Sequence, residues 1–555
     1  VADADFIIIG AGSAGCLLAN RLSADPGTRV VLLEAGGRDR NPLMRVPLLA
    51  GVMYHAKSLN WGFTTVAQPH LDGRALIWPR GRVLGGSSAI NGMMYMRGHR
   101  RDYDDWRQLG LEGWGYDDVL PYFRAFERNL SHPGDTGHHG RDGELTTEQA
   151  PGDNPLYHAW LRAAEQAGMP RNPDHNGAEQ EGLGFYDFTI DRGRRVSSAN
   201  AFLRPAEGRA NLRIETRALA RRLMFDGTRC TGVEFEQAGQ VRVLTAGRET
   251  ILCGGAINSP ALLQLSGIGD ATALRGLGIA PVVHRPQVGR NLQDHLGVYV
   301  QHKCLQPVTL YRLFRPDRAA LAVARAVAFG TGPAATVPLQ AGGFLRTRPE
   351  LEVPDIHITF VPGLSLAATR AGQREHGFLT NFYQLRPVSR GGIAITSADP
   401  RDKPAIDPNY LAAEEDRRVM RDGVRLVRRI VGGAALAPYR GAEIEPGEAA
   451  LDDAAIDAWV RRTANTIFHP VGTCRMGIDD DAVLDPALRV RGVADLRVVD
   501  CSVMPTLIGG NTSVPAMMIA EKAADLILGR PPRPREESAG GAGVGEAGVG
   551  KAWAA

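Results

Sequence analysis

The stretch 5–34, DFIIIGAGSAGCLLANRLSADPGTRVVLLE, constrains this chain more than any other. It reads as strand, glycine turn, helix and second strand. Residues 6–9 are a short, continuous apolar run, the pattern of a parallel strand buried on both faces. Gly10-Ala11-Gly12-Ser13-Ala14-Gly15 follows at once and satisfies G-x-G-x-x-G. Leu17, Leu18 and Leu22 then recur at helical spacing. Residues 29–33 make a second apolar strand that ends at Glu34, 19 residues beyond Gly15. Gly10 permits the tight turn, Gly12 lets a pyrophosphate approach the backbone, and Gly15 lets helix and strand pack closely. The helix N-terminus offers unpaired N–H groups and a positive dipole end to phosphate. Glu34 can accept hydrogen bonds from a ribose hydroxyl. An ordinary βα turn would need no acid at that place. The stretch predicts a nucleotide-binding βαβ unit and does not distinguish FAD from NAD.

Composition narrows the class. A chain of 555 residues with 44% hydrophobic and 23% charged residues is globular, and its length suggests roughly three to four domains. The net charge of +3 is small for this size, with no basic stripe interleaved with aromatics, so nucleic acid is not an expected partner. No apolar stretch approaches ~18 residues, so no spanning helix is expected. The N-terminus runs directly into the first strand, which leaves no room for a secretory signal. The six cysteines are scattered without a C-x-x-C pair, which suits a reducing cytoplasm and neither a zinc site nor a disulfide scaffold.

A second glycine loop, Gly81-Arg82-Val83-Leu84-Gly85-Gly86-Ser87-Ser88-Ala89-Ile90-Asn91-Gly92, suits backbone lying against a flat ligand or phosphates, or a tight turn before a helix. This stretch resembles the first signature of the glucose-methanol-choline (GMC) oxidoreductases. The stretch from Gly255-Ala256-Ile257-Asn258-Ser259-Pro260 to Gly269 is similar to their second. Val288-Gly289-Arg290-Asn291-Leu292-Gln293-Asp294-His295, His469-Pro470-Val471-Gly472-Thr473-Cys474 and Asn511-Thr512-Ser513 share the family's look, in the family's order. The pattern looks most like the choline dehydrogenase and alcohol dehydrogenase branch.

The resemblance implies FAD, small-molecule alcohol oxidation, and a reduced cofactor reoxidised by O2 or a quinone-type acceptor. It also implies an α/β FAD-binding Rossmann-like domain with a parallel sheet, interleaved with an α+β substrate domain whose sheet is mostly antiparallel. The expected segments are 1–155, 205–300 and 461–529 for FAD, 156–204 and 301–460 for substrate, and 530–555 as a disordered tail. His469 precedes Pro470, which biases it toward an extended conformation, and its unperturbed pKa of ~6.5 lies near working pH. The resemblance makes His469 the catalytic base, with hydride passing to flavin N5. It makes Asn511 the residue that orients the substrate oxygen, since an amide cannot act as a base. Asn511, Thr512 or Ser513 would also cap the helix over 514–528, with its N-terminus at the flavin.

Further FAD contacts are implied at Gly10, Gly12, Ser13, Ala14, Gly15, Glu34 and Ala35. Others fall at Arg82, Val83, Gly86 and Ser87, and at Asn91, Gly92, Met93 and Met94. Ala220 matches an adenine contact, Asp500 an acid near the ribityl-phosphate, and Asn511, Thr512 and Ser513 the pyrimidine end. Ile90 stands where the covalent branch carries a histidine, so FAD is expected to be non-covalent. Family members that perform no net oxidation, hydroxynitrile lyases and fatty-acid photodecarboxylases, are the alternative. Choline would require a carboxylate or aromatic group aimed into the pocket, and the sequence places none; aromatic content is 6%.

The remaining expectations are local. A helix spans 153–169, capped at Asp153 or Asn154. Ser197 or Ser198 caps a helix, with a phosphate contact as the alternative. Strands cover 211–216, 221–225, 232–235, 250–253, 355–360, 382–385, 392–396 and 496–499, with a hairpin turn at Asp226-Gly227. Helices cover 319–329, an ordinary packed helix with a membrane or quinone contact of 321–329 as the alternative, and 414–430. Trp106, Leu109, Val119, Leu120, Tyr122 and Phe123 cover a helix face. His138 and His139 sit on an exposed loop without a metal, since no further ligand follows at useful spacing. A homodimer is the assembly allowed for.

Overall fold

The computed structural model describes residues 2–135, 137–365, 375–447, 449–450 and 452–535. The first strand, helix and second strand form as Ala4–Ile9, Ser13–Leu22 and Val30–Glu34. Their apolar runs lack polar alternation because both faces are covered. Val30–Glu34 lies between Ala4–Ile9 and Leu212–Thr216, all parallel. The 13-residue strand Gln240–Leu252 serves two neighbours in turn. Its first half pairs antiparallel with Arg229–Gln237, and its second half pairs parallel with Ala4–Ile9. Leu496–Val498 adds a further parallel strand beside it. The hairpin expected at Asp226-Gly227 joins Ala218–Asp226 to Arg229–Gln237, and Gly227 supplies the positive φ of 57° that the turn needs.

The second sheet takes Ala341–Leu345, Ile356–Val361, Gly377–Gln384, Leu296–Cys304 and Arg440–Glu445 in that order, all antiparallel. Asn465–Thr466 pairs with the start of Leu296–Cys304. The sheet therefore reaches a few residues past both expected cuts, at 300 and 460. Side chains alternate across it. Ile356, Ile358, Phe360, Phe378 and Phe382 face a core shared with helices Pro155–Gln166 and Glu414–Val431. Burying each such side chain contributes roughly 1.5–3 kcal/mol. The opposite face carries Tyr299, His357, Thr359, Asn381 and Tyr383 toward a cavity. The fold is thus α/β with a parallel sheet, joined to an α+β unit with an antiparallel one.

Local expectations meet mixed outcomes. Asn154, not Asp153, caps its helix by accepting from Leu156 N. Ser197 Oγ accepts from Asn200 N, while Ser198 Oγ lies 2.8 Å from Ser88 Oγ. Leu109 is 52% exposed, because the helix Arg100–Gln108 ends before it. Helix Pro316–Phe329 is not an ordinary packed helix: only Ala322 and Ala326 are buried, and Leu321 and Phe329 are 71% and 76% exposed. The tail expected over 530–555 lies mostly outside the described residues. Its beginning is tied down, with Arg533 on Glu521 at 2.6 Å and Arg535 on Asp118 at 2.5 Å. Among the described residues no helix is long and apolar enough to cross a membrane.

The reading of His139 is corrected. It is buried, with Nδ1 3.1 Å from Glu127 and Nε2 2.8 Å from Asp174. Its possible ligand atom and those of His132 and Asp174 lie within 4.8 Å of one another. Spacing missed this because Asp174 arrives from 35 residues onward. Arg97 completes the group, pairing with Glu127 at 2.7 Å and donating to His138 O at 2.6 Å. Burial pushes the imidazole pKa down, but hydrogen bonds to Asp174 and Glu127 outweigh it and hold it at about 9. A pKa raised above the unfolded ~6.5 stabilises the fold fully below that pH, and the contribution fades as pH rises through the folded value. His139→Gln should therefore cost about 3 kcal/mol at neutral pH. Denaturant melts should show the gap from wild type closing as pH passes about 9.

Candidate active site

A cavity of ≈ 1490 Å³ opens at the C-terminal ends of the parallel strands and extends to the wall of the antiparallel sheet. Open α/β sheets bind ligands at this end, and the volume exceeds the ~300–1,000 Å³ of a drug-sized site. At the parallel sheet, Gly10 has φ 106° and an added Cβ would meet Cys253 O at 2.5 Å. Gly12 borders open space. The second glycine loop folds onto the first: Gly85 N donates to Ala11 O at 2.8 Å, and a Cβ on Gly86 would meet Gly12 Cα at 2.7 Å. Ser198 Oγ, 3.3 Å from Gly12 O and 3.4 Å from Gly85 O, ties a third segment to both.

Glu34 accepts from Ala11 N at 3.0 Å and Gly36 N at 2.7 Å, which shapes the turn and leaves carboxylate lone pairs for a ligand hydroxyl. Burial pushes its pKa up to about 7 against those bonds and the charge of Arg82. Asp500 accepts from Gly255 N and Ser259 Oγ, at 2.8 and 2.6 Å. The helices Ser13–Leu22 and Ser513–Leu528 meet at their N-termini, with Ser13 Oγ and Ser513 Oγ 3.3 Å apart. Neither start has a side-chain cap, so the expected capping by Asn511, Thr512 or Ser513 does not form, and their N–H groups remain for a ligand.

The cavity gathers Gly10, Gly12, Ser13, Ala14, Glu34 and Ala35 from the first turn. Arg82, Gly86, Ser87, Asn91, Gly92, Met93 and Met94 join from the second loop, and Ala220, Asp500, Thr512 and Ser513 from farther on. Two expected contacts do not line it. Gly15 acts one layer behind, where a Cβ would meet Gly10 O at 1.9 Å. Val83 is buried and bridges Gly37 through its backbone.

At the far end, Asn511 Nδ2 stands 3.1 Å from His469 Nε2. The other nitrogen, Nδ1, is 2.9 Å from His295 Nδ1, and His295 Nε2 is 3.0 Å from Leu385 O. These distances fix the protons. A carbonyl only accepts, so His295 Nε2 carries hydrogen. Burial lowers the His295 pKa to about 3, so the ring is neutral and its Nδ1 is a bare acceptor. His469 must then donate from Nδ1. Burial, joined by His295 and Arg80, holds His469 well below the ordinary histidine range, so it too is neutral. Its Nε2 therefore presents a lone pair to the cavity and receives the Asn511 amide hydrogen. Asn511 Oδ1 is buried without a partner, an acceptor suited to a ligand hydroxyl.

The backbone under His469 is held as firmly. His469 N donates to Asp294 Oδ1 at 2.6 Å. The other Asp294 oxygen accepts from Tyr410 and Thr466. Arg80 donates to Phe468 O at 2.6 Å, and Phe468 sits at φ 70°, a conformation that needs such support. Sequence reasoning gave no role to His295, Asp294 or Arg80. The run Asn291–His295 carried the only signal, as a stretch resembling the family.

The chain matches the GMC oxidoreductase family over residues 4–297 and 387–520. It is 45% identical to an oxygen-dependent choline dehydrogenase of Brucella anthropi over 96% of this chain and 97% of that one. Against the mitochondrial choline dehydrogenase of Mus musculus it is 45% identical over 95% and 89%. The fold superposes on pyridoxine 4-oxidase from Mesorbium loti with TM-score 0.86 and 34% identity, covering 94% and 98%.

The proton assignment can be read directly. Nitrogen-15 shifts of His469 should report the neutral tautomer protonated at Nδ1 from ~pH 8 down past the ordinary ~6.5. Replacing the acceptor, as in His295→Phe, should abolish that preference.

Proposed function

This chain belongs to the GMC oxidoreductases, enzymes acting on CH–OH groups, and from that premise we propose that it oxidises a primary alcohol to the aldehyde with non-covalently held FAD. The observation that carries the reading is the bare His469 Nε2 beside Asn511 at the inner end of a cavity whose other end suits a dinucleotide.

FAD, when bound, supplies the acceptor for the substrate hydride, and O2 or a quinone-type acceptor reoxidises it. Glu34 would hold the ribose, the glycine turns and helix N-termini the pyrophosphate, and Ala220 the adenine. Ile90, buried and apolar, offers no atom for a covalent link. The substrate hydroxyl enters between His469 and Asn511. It donates to His469 Nε2 and accepts from Asn511 Nδ2 in place of the direct contact between the two side chains. His469 takes the hydroxyl proton as the carbon-bound hydrogen leaves with its electron pair. The imidazolium keeps its Nδ1–H on His295, and Asp294 prevents the ring from drifting with its backbone. Asn511 steadies the negative charge that grows on oxygen.

Low burial-shifted basicity has a consequence for pH. Because the His469 pKa lies well below its ordinary value, the base stays unprotonated in weak acid. Anaerobic flavin bleaching by alcohol should hold its rate through ~pH 6. His469→Gln should slow bleaching by about 10²–10⁴-fold while the protein keeps its yellow cofactor. Acid precipitation should leave the flavin in the supernatant; flavin in the pellet contradicts the non-covalent assignment.

A further inference from the structure

We propose that this chain docks on an anionic lipid bilayer through the outward face of helix Pro316–Phe329, which lies in the plane of the headgroups. The docking does not depend on the alcohol-oxidation reading; what the membrane delivers to the cavity does.

A surface helix sets an apolar stripe toward the core and a charged stripe toward water. Here both stripes are apolar. Ala322 and Ala326 are buried, with Ala319 and Val323 half-buried beside them. On the opposite side Ala320, Leu321, Ala324, Val327 and Ala328 recur at helical spacing, all exposed. Leu321 and Phe329 are the two most exposed large apolar side chains among the described residues. Of the 14 residues only Asp317, Arg318 and Arg325 are charged. A helix apolar all round belongs in a core or against lipid, and this one has protein on one side alone. At ~1.5 Å per residue it is about 21 Å long, short of a hydrocarbon layer of about 30 Å. It therefore lies on a bilayer and does not cross one.

Charge selects the lipid. Arg318 and Arg325, both exposed, flank the outward stripe on one side. Arg312 stands just before the helix. Arg192 and Arg194 meet its other end, where a Cβ on Gly193 would touch Gly330 O at 2.0 Å and Arg194 Nη2 donates to Val327 O at 3.2 Å. The acids beside them are fewer: Asp317 pairs with Arg315 at 3.1 Å, and Asp191 lies 3.7 Å from Arg192. Apolar side chains bordered by arginines fit anionic headgroups, each cation near such a surface strengthening binding about fivefold. A second copy of this chain is the poorer occupant. A two-fold contact sets like surface on like, which would bring the arginines of one copy onto those of the other.

The layer beneath the helix is cavity wall. Ala322 and Ala326 pack with Val46, Leu48, Leu49 and Leu313, and the last three of these also line the cavity. Val52 is both exposed and part of the lining, so the cavity comes close to the surface on this side. Under the alcohol-oxidation reading, a rim held at the bilayer admits apolar alcohols and a quinone-type acceptor from the lipid, where they concentrate.

The test is co-sedimentation of the full-chain holoenzyme with phosphatidylcholine vesicles, with and without phosphatidylglycerol. The protein should bind the phosphatidylglycerol vesicles at least about tenfold more tightly and be released as salt is raised. Leu321→Glu/Phe329→Glu should weaken that binding at least about tenfold by removing the buried hydrocarbon. Arg318→Glu/Arg325→Glu should weaken it about as much, on the anionic vesicles alone. Both variants should keep their flavin and their melting temperature, which separates lost docking from lost fold. Equal affinity for the two kinds of vesicle, or affinity that Leu321→Glu/Phe329→Glu leaves unchanged, overturns the proposal. So does a dimer in vesicle-free solution that the same pair of substitutions dissolves, which would give the face to a second copy. None of these readings requires turnover, so failure of the docking and failure of the alcohol-oxidation reading are told apart.

Discussion

One line of hydrogen bonds joins the two halves of this protein: Leu385 O to His295, His295 to His469, His469 to Asn511. Its ends belong to different structures. Leu385 follows the last residue of strand Gly377–Gln384, and Asn511 precedes the helix Ser513–Leu528 that packs with the first helix. The line has a direction because it starts on a carbonyl, which can only accept. Every later proton position follows from that, provided both rings stay neutral, and burial keeps them so. A hydrophobic surround therefore decides the chemistry at His469 Nε2 without touching substrate.

The other end of the cavity depends on the absence of side chains. Gly12 and Gly86 bring two loops into backbone contact, and Ser198 links both from a third segment. The carbonyls and N–H groups left between them are polar, fixed and facing one space. Such a cradle costs conformational entropy in the unfolded glycine-rich chain. The cores flanking it offset that cost, with aliphatic strands on one side and the Phe378, Phe382 and Trp160 cluster on the other.

The residues that sequence reasoning found and missed differ in a physical way. Gly10 and Glu34 announce themselves by local pattern, a turn and a spacing, whereas His469 and Asn511 stand out through the family resemblance. His295 and Asp294 act on His469 from 174 and 175 residues away, so no window of sequence contains the interaction. The same holds for His139, whose carboxylate partners arrive from Glu127 and Asp174. Of the two duties expected of Gly15, close helix–strand packing and a ligand contact, it performs the first, admitting Gly10 O. Helix Pro316–Phe329 has the right period for a packed helix, but only two alanines of it are buried.

By itself the sequence determined the βαβ start, the α/β class and the acid at Glu34, because periodicity and glycine geometry are local properties of the chain. It also displayed the histidine and the amide. Only the tertiary structure decided that His469 is a neutral imidazole protonated at Nδ1, because that state depends on a carbonyl and a second imidazole from distant segments. Only the tertiary structure decided the duties of the acids too: Asp294 is spent on the His469 backbone, while Glu34 shapes its turn and keeps lone pairs for a ligand hydroxyl.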